Sequence, residues 1–262
     1  MALINKKKKD SNAPDIRRER RNILNEKTAF SIVEEYKLLR TNIMFSLAKD
    51  GCKKVAFTSA NMSEGKSISA INTAITFAEM NQKVLLIDCD LRLPKIHKLL
   101  AHAGTPGISN VIVNMSAEET VIHHVKTQNS SFDVIFAGDV PPNPSELLGS
   151  ERFSKMLNIL CEHYDYIFVD LPPINVVTDA AVIAKNLDGI VMVTRVGHTD
   201  KKELGAALEQ LSFANANVIG ILLNGVEHKT GSYTKGYKYG YSYGYAGSRS
   251  RSSQQSSNQQ NN

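Results

Sequence analysis

Ala60-Asn-Met-Ser-Glu-Gly-Lys-Ser67 lies between an apolar run, Lys54-Val-Ala-Phe-Thr-Ser59, and a run of helical character, Ser67-Ile-Ser-Ala-Ile-Asn-Thr-Ala-Ile-Thr-Phe-Ala78. Strand, Gly-Lys-Ser loop and helix in that order form a phosphate cradle. Loop amides and the positive end of the helix dipole face an anion, Lys66 reaches the β and γ phosphates, and the Ser67 hydroxyl holds Mg²⁺. Ala60 stands where the usual pattern has its first glycine, and it is small enough for the turn. Asn61, Met62, Ser63, Glu64, Gly65, Lys66, Ser67 and Ile68 are the expected nucleotide contacts. A solvated Gly-Lys turn is the bland alternative. The loop predicts a bound nucleotide and leaves its purpose open.

Downstream, Lys83-Val-Leu-Leu-Ile-Asp-Cys-Asp-Leu-Arg92 has four consecutive apolar residues bounded by charge, the pattern of a parallel strand buried on both faces. Ligand groups in such sheets sit just past the carboxyl ends of strands, which is where Asp88, Asp90 and Arg92 fall. Two carboxylates one residue apart beside an arginine are costly to bury without a metal, a substrate or a salt-bridge partner. Tyr164-Asp-Tyr-Ile-Phe-Val-Asp170-Leu-Pro-Pro173 is a further strand that ends in an aspartate. Held rigid by the two prolines, Asp170 is expected to bind Mg²⁺, directly or through water, opposite Ser67.

Further alternations fill the rest of the body. Ser116-Ala-Glu-Glu119 carries a capping-box pattern that predicts a short helix, and Phe132 to Gly138 reads as a strand. Val140-Pro-Pro-Asn-Pro-Ser-Glu-Leu-Leu148 reads as a rigid turn whose Asn143 faces the site, followed by a helix to about His163. Gly189 to Arg195 and Asn217 to Asn224 read as strands that flank a helix from about Asp200 to Ala214. Asn224 closes its strand on the ligand edge, where its amide either reads an adenine or forms a turn. Strand alternating with helix throughout predicts an α/β fold of the P-loop NTPase kind, mainly parallel, with helices on both faces.

At 262 residues and 42% hydrophobic content, the chain is long enough for one substantial core. No apolar run approaches the roughly 18 residues that a membrane span requires, and the first residues lack a signal-peptide core, so a cytoplasmic location is expected. Cys52, Cys89 and Cys161 are too few and too scattered for a disulfide framework or a Cys-pair zinc site. The net charge of +5 hides an acidic body between two basic ends: residues 1–27 and 229–262 each carry +5, and the middle carries −5. Basic flanks of this kind solvate a linker or touch anionic lipid or an acidic partner, and they do not define a nucleic-acid-binding domain.

Residues 1–27 are read as a charged arm, 28–228 as the nucleotide-binding domain and 229–262 as a tail too poor in aliphatic residues to form a core. From Thr28, Ile32, Val33, Tyr36, Leu39, Ile43 and Leu47 follow a helical period, and Glu34, Lys37 and Arg40 share one side of that helix. From the spacing alone, an ordinary solvated face explains that side better than a partner surface. The tail holds six of the nine tyrosines: Tyr233, Tyr237, Tyr239, Tyr241, Tyr243 and Tyr245. Tyrosines spaced by glycine in a basic segment suit stacking on single-stranded nucleic acid, acceptance of phosphoryl groups, or neither.

The loop, the Asp88-Cys-Asp90-Leu-Arg92 element, the Phe168-Val-Asp170-Leu-Pro-Pro173 element and the tyrosine cluster together resemble the bacterial tyrosine kinases (BY-kinases) of Gram-positive capsule and exopolysaccharide gene sets. The resemblance runs from about Thr28 to Tyr245 and takes in Glu34 to Ile43 and Gly138 to Leu148. It implies an ATP- and Mg²⁺-dependent protein tyrosine kinase that phosphorylates its own tail. Lys66, Asp88, Asp90, Arg92 and Asp170 would be the catalytic group, and Ser67, Asp88 and Asp170 the metal ligands. The resemblance also implies a transmembrane activator of the polysaccharide co-polymerase kind that recruits the kinase to the inner face of the membrane, and a cognate tyrosine phosphatase. No nucleic-acid partner is expected. Glu34, Lys37 and Arg40 match a Glu-x-x-Arg-x-x-Arg helix that joins unphosphorylated subunits into a ring, with Lys37 in place of an arginine. Lysine keeps the charge but not the planar fork.

The chemistry fits these residues. A tyrosine hydroxyl, with a pKa near 10, needs help losing its proton, and Asp88 or Asp90 supplies the base. A flexible tail spanning the 5 to 17 residues from His228 reaches roughly 12 to 25 Å, and each added phosphate brings nearly two negative charges to a segment that starts at +5. A ParA/MinD-type ATPase is the competing reading. Those proteins carry a second lysine where this chain has Asn61. A nucleotide-gated nucleic-acid-binding module is the third, and steep salt dependence would mark it.

Overall fold

The computed structural model describes residues 16–114 and 118–226. In chain order the elements are α1 (Ile16–Arg20), α2 (Phe30–Ser46), β1 (Lys53–Ser59), α3 (Lys66–Ala78), β2 (Val84–Asp88), α4 (Ile96–Leu100), α5 (Ile108–Asn114), β3 (Ile122–Lys126) and β4 (Ser131–Ile135). They continue as α6 (Pro144–Gly149), α7 (Glu151–Leu160), β5 (Tyr166–Asp170), α8 (Asp179–Ile183), β6 (Gly189–Arg195), α9 (Lys201–Phe213) and β7 (Val218–Asn224). The seven strands form one sheet in the order β3-β4-β2-β5-β1-β6-β7. Every pairing is parallel except the β3–β4 hairpin at one edge.

Side-chain alternation along the central strands explains the layering. Val55 and Phe57 of β1, Leu86 of β2 and Phe168 of β5 join one core, with Ile71 and Phe77 of α3. Ala56, Leu85, Ile87, Ile167 and Val169 turn to the other face and pack with Phe153 and Leu157 of α7 and Ala180 of α8. A period of two on strands buried from both sides gives each face its own helices. Phe77 is wedged against Tyr166 and Phe168, with ring centroids 4.3 and 5.1 Å away, which fixes the helix that follows the phosphate loop.

Several local expectations change. The helix expected to run to His163 is interrupted at Ser150, whose extended backbone (φ −69°, ψ 149°) ends α6 and whose hydroxyl accepts from the Phe153 amide to start α7. The strand expected to reach Gly138 stops at Ile135. Glu118–Val121 is a short 3₁₀ turn leading directly into β3, an edge strand the sequence reading lacked, while Ser116 and Ala117 of the capping pattern lie outside the described residues. Its sequence, Ile-His-His-Val-Lys, has too few apolar residues to declare a strand, and its partner β4 supplies the pairing.

Residues 16–27 are tied to the body: Glu19 pairs with Lys95 at 2.8 Å, the Leu24 amide donates to Asn72 of α3, and Asn72 donates back to the Asn22 carbonyl. Cys52 and Cys161, remote in sequence, are in thiol contact, and burial together with that contact pushes the Cys52 thiol up. Among the described residues no helix is long and apolar enough to cross a membrane.

Candidate active site

The Ala60–Ser67 loop joins β1 to α3 at the carboxyl edge of the sheet. Ser63 (φ 64°) and Gly65 (φ 98°) both adopt left-handed backbone, which turns the chain sharply into the first residue of α3, Lys66. Gly65 is required twice over. Its positive φ suits glycine, and a Cβ there would fall 2.0 Å from Asn224 Nδ2. Neighbouring elements hold the loop from outside. Buried Glu64 accepts from the Ala60 amide at 3.0 Å and from the Thr199 hydroxyl at 2.6 Å. Arg195 donates to the Ser63 carbonyl at 3.2 Å, and His198 Nε2 lies 3.1 Å from the Met62 carbonyl.

Behind the loop, Lys66 Nζ lies 2.9 Å from Asp90 Oδ2 and 3.4 Å from both oxygens of Asp170. The Ser67 hydroxyl donates to Asp170 Oδ2 at 2.5 Å. The loop, β2 and β5 therefore bring Lys66, Ser67, Asp90 and Asp170 together. Asp88 and Asp170 are adjacent in register, because β2 and β5 are neighbours. Asp88 accepts backbone amides from Asp90 (3.2 Å), Lys95 (3.2 Å) and Ile96 (3.1 Å), which holds the carboxylate against the start of α4.

Three buried carboxylates surround one lysine. Burial first, and the nearby charge of Asp170 second, push Asp88 up to about 8. Burial also raises Asp170, against the opposing pull of Lys66 and the Ser67 hydrogen bond. Burial alone would discharge Lys66, but the charges of Asp170 and Asp90 outweigh it and keep the ammonium above its ordinary value. This excess of negative charge, presented by hard oxygen donors beside a serine hydroxyl, suits Mg²⁺.

The remaining candidates lie elsewhere. Arg92 leaves the lysine cluster and forks onto Asp179, through Nε to Oδ2 at 3.0 Å and Nη2 to Oδ1 at 3.1 Å. Asn224 Nδ2 donates to the Glu64 carbonyl at 2.9 Å and Oδ1 accepts from the Gly225 amide, so the side-chain amide braces the phosphate loop. Asn61 donates to Glu203 at 2.7 Å, Asn143 donates to Glu146, and Ile68 is half-buried behind the loop. On α2, Lys37 pairs with Glu34 at 2.8 Å within the helix, whereas Arg40 turns inward to donate to the Thr76 carbonyl of α3 at 2.7 Å. The six tail tyrosines lie outside the described residues.

Sequence reading missed Thr199, Arg195, His198 and Asp179. Arg195 ends β6 and the other two lie in the loop that follows it, and only the sheet order places that strand beside β1. Asp179 had one signal, an acidic residue opening a helix.

Comparison with known proteins matches residues 52–202 to the family described as an AAA domain. The putative tyrosine-protein kinase CapB of Staphylococcus aureus is 38% identical over 201 residues, which is 77% of this chain and 87% of the relative. Tyrosine-protein kinase YwqD of Bacillus subtilis is 37% identical over 73% of this chain and 80% of its own length. The solved kinase domain of the Escherichia coli tyrosine kinase ETK superposes with a TM-score of 0.72 at 35% identity, covering 79% of this chain and 81% of that domain. Likeness to the MinC:MinD complex of Aquifex aeolicus, at 19% identity and a TM-score of 0.55, shows the fold alone. A lysine-centred carboxylate cluster behind a phosphate loop, on a chain this similar to named kinases over most of its length, makes the protein a member of the bacterial tyrosine-protein kinases.

Proposed function

We propose that this kinase uses ATP and Mg²⁺ to phosphorylate tyrosines of its own carboxy-terminal segment, Tyr233 to Tyr245, and thereby regulates capsule or exopolysaccharide production. The observation that carries the reading is the cluster of Lys66, Ser67, Asp88, Asp90 and Asp170 at the start of α3. Lys66 and the loop amides bind the phosphates of the nucleotide. Ser67, Asp88 and Asp170 would hold Mg²⁺, which would offset phosphate charge. Asp88 or Asp90 orients the attacking tyrosine hydroxyl and takes its proton, the phenol oxygen forms the new bond to the γ-phosphorus, and ADP leaves. Arg92 stabilises charge on the transferred phosphoryl group.

A transmembrane activator related to polysaccharide co-polymerases is the proposed partner at the inner face of the membrane, with a tyrosine phosphatase reversing the modification. Glu34, Lys37 and Arg40 are the proposed contacts of a homo-oligomeric ring. Lys37 is paired with Glu34 within α2, and Arg40 donates through Nη1 to the Thr76 carbonyl. Purified protein incubated with ATP, Mg²⁺ and the activator's cytoplasmic segment tests the reading, with phosphotyrosine mapped by mass spectrometry. Absence of phosphate between Tyr233 and Tyr245 overturns it.

A further inference from the structure

The guanidinium of Arg92 joins three loops that are remote in sequence. Besides its two bonds to Asp179, Nη2 donates to Ser145 Oγ at 3.0 Å, and the Ser145 hydroxyl itself donates to Asp179 Oδ1. Arg92 follows β2, Ser145 sits in α6 after β4, and Asp179 opens α8 after β5. Since β4, β2 and β5 are consecutive in the sheet, the three loops meet at the edge that carries Asp88, Asp90 and Asp170.

The two ends of the pair have different surroundings. The Asp179 side chain is fully buried, whereas that of Arg92 is 39% exposed. A buried carboxylate without a cation and hydrogen bonds is costly, and Asp179 receives both from Arg92 and Ser145. In return it holds the fork by Nε and Nη2. Nη1 makes no hydrogen bond among the described residues and is left for an anion. The Asp179 hydrogen bond is the leading reason the guanidinium is held above its ordinary value, with Asp90 adding to it. An arginine free in solution samples many rotamers, and ordering it before the reaction removes that cost from the chemical step.

We infer that Asp179 is a positioning residue of the kinase reaction, acting with Ser145 to hold Arg92 in the one orientation from which its free edge meets the transferred phosphoryl group. This rests on the role proposed above for Arg92. The competing explanation is a staple that only fastens α6 and α8 to the sheet.

A double-mutant cycle on the full chain separates them, using a synthetic Glu/Tyr copolymer as acceptor at saturating ATP and Mg²⁺. Asp179→Asn is expected to lower kcat about ten- to hundredfold, the range for a misplaced catalytic group. Nucleotide Kd should stay within about threefold. In the Arg92→Ala background the same substitution should change nothing further. Loss by the same factor in both backgrounds overturns the inference, because Asp179 would then act without Arg92. A slow Arg92→Ala enzyme beside a fully active Asp179→Asn enzyme also overturns it, while leaving the Arg92 role standing. Full activity in Arg92→Ala removes that role and the inference with it. Should Asp179→Asn fail to fold, Ser145→Ala decides. It removes one bond from each partner and is expected to lower kcat about threefold only when Arg92 is present, and an unchanged rate overturns the inference.

Discussion

Replacing Lys66 with methionine removes the one ammonium set among the carboxylates while nearly preserving volume. The Lys66 side chain is 11% exposed, and its partners Asp90 and Asp170 are 8% and 0% exposed. Loss of one member of such a pair strands buried charge and costs about 3 to 5 kcal/mol. For a body of this size each kcal/mol moves the melting temperature by roughly 2 to 4 °C, so Lys66→Met should melt about 6 to 20 °C below wild type in metal-free buffer at pH 8. The deficit must depend on pH. Burial already raises Asp170, and without Lys66 it loses one of the contacts that opposed that rise. A carboxyl whose folded pKa exceeds its unfolded one gives stability that is full below the unfolded pKa and lost as pH climbs through the folded pKa. The gap between the two proteins should therefore shrink at pH 5 and widen at pH 8. Mg²⁺ should recover part of it at pH 8, whereas tyrosine phosphorylation should stay absent in every condition. Thermal unfolding followed by circular dichroism reads all of this. A melting point within about 2 °C of wild type at pH 8, or an equal gap at both pH values, would refute the charge balance assigned to this cluster.

Gly65→Ala introduces a Cβ 2.0 Å from Asn224 Nδ2 at a backbone φ of 98°, so nucleotide affinity by calorimetry should fall at least about tenfold. Asn224→Ala in the same chain should recover only the part due to the clash, and unchanged affinity in Gly65→Ala would contradict the loop geometry. Asp88, held up to about 8 by burial and then by Asp170, should lose its stabilising proton as pH rises toward that value in the metal-free protein. Asp88→Asn should flatten the melting profile between pH 5 and 9 and abolish kinase activity; an equally steep profile would assign the pH dependence to another group. Changing all six tail tyrosines to phenylalanine should remove most self-phosphorylation but preserve nucleotide affinity, and undiminished labelling would place the acceptors elsewhere.

The central strands and the cradle were legible because their signals are local. A continuous apolar run such as Val84 to Ile87 can only be buried on both faces, and a Gly-Lys-Ser turn before a helix has few other uses. Asp88 and Asp170 could be foreseen at one edge because each ends such a run. What stayed hidden depends on which strands become neighbours. Thr199 reaches Glu64 across 135 positions, and Arg92 meets Asp179 across 87, distances over which periodicity carries no information. The hairpin strand β3 was missed for another reason: at a sheet edge, pairing with β4 compensates for a weak apolar pattern. Arg40 shows the limit of reading a helix by charge. The spacing put it beside Glu34 and Lys37, yet a long side chain can follow the helix surface to a carbonyl on the element beneath.

That inward arginine, with the contacts around it, separates two kinds of boundary. The stretch matched by the AAA domain family opens at residue 52, just before β1. Ile43 and Leu47 lie upstream of that point, buried in the same core as α3, and Arg40 supplies a donor to the Thr76 carbonyl. Asn22 and Leu24 complete the hydrogen bonds of Asn72 on the same helix. The helix that follows the phosphate loop is thus walled on its outer side by residues that lie before the stretch matched by that family. The stretch matched by that family is therefore smaller than the body its side chains pack into, and a chain cut at residue 52 would leave Asn72 and the Thr76 carbonyl without these partners.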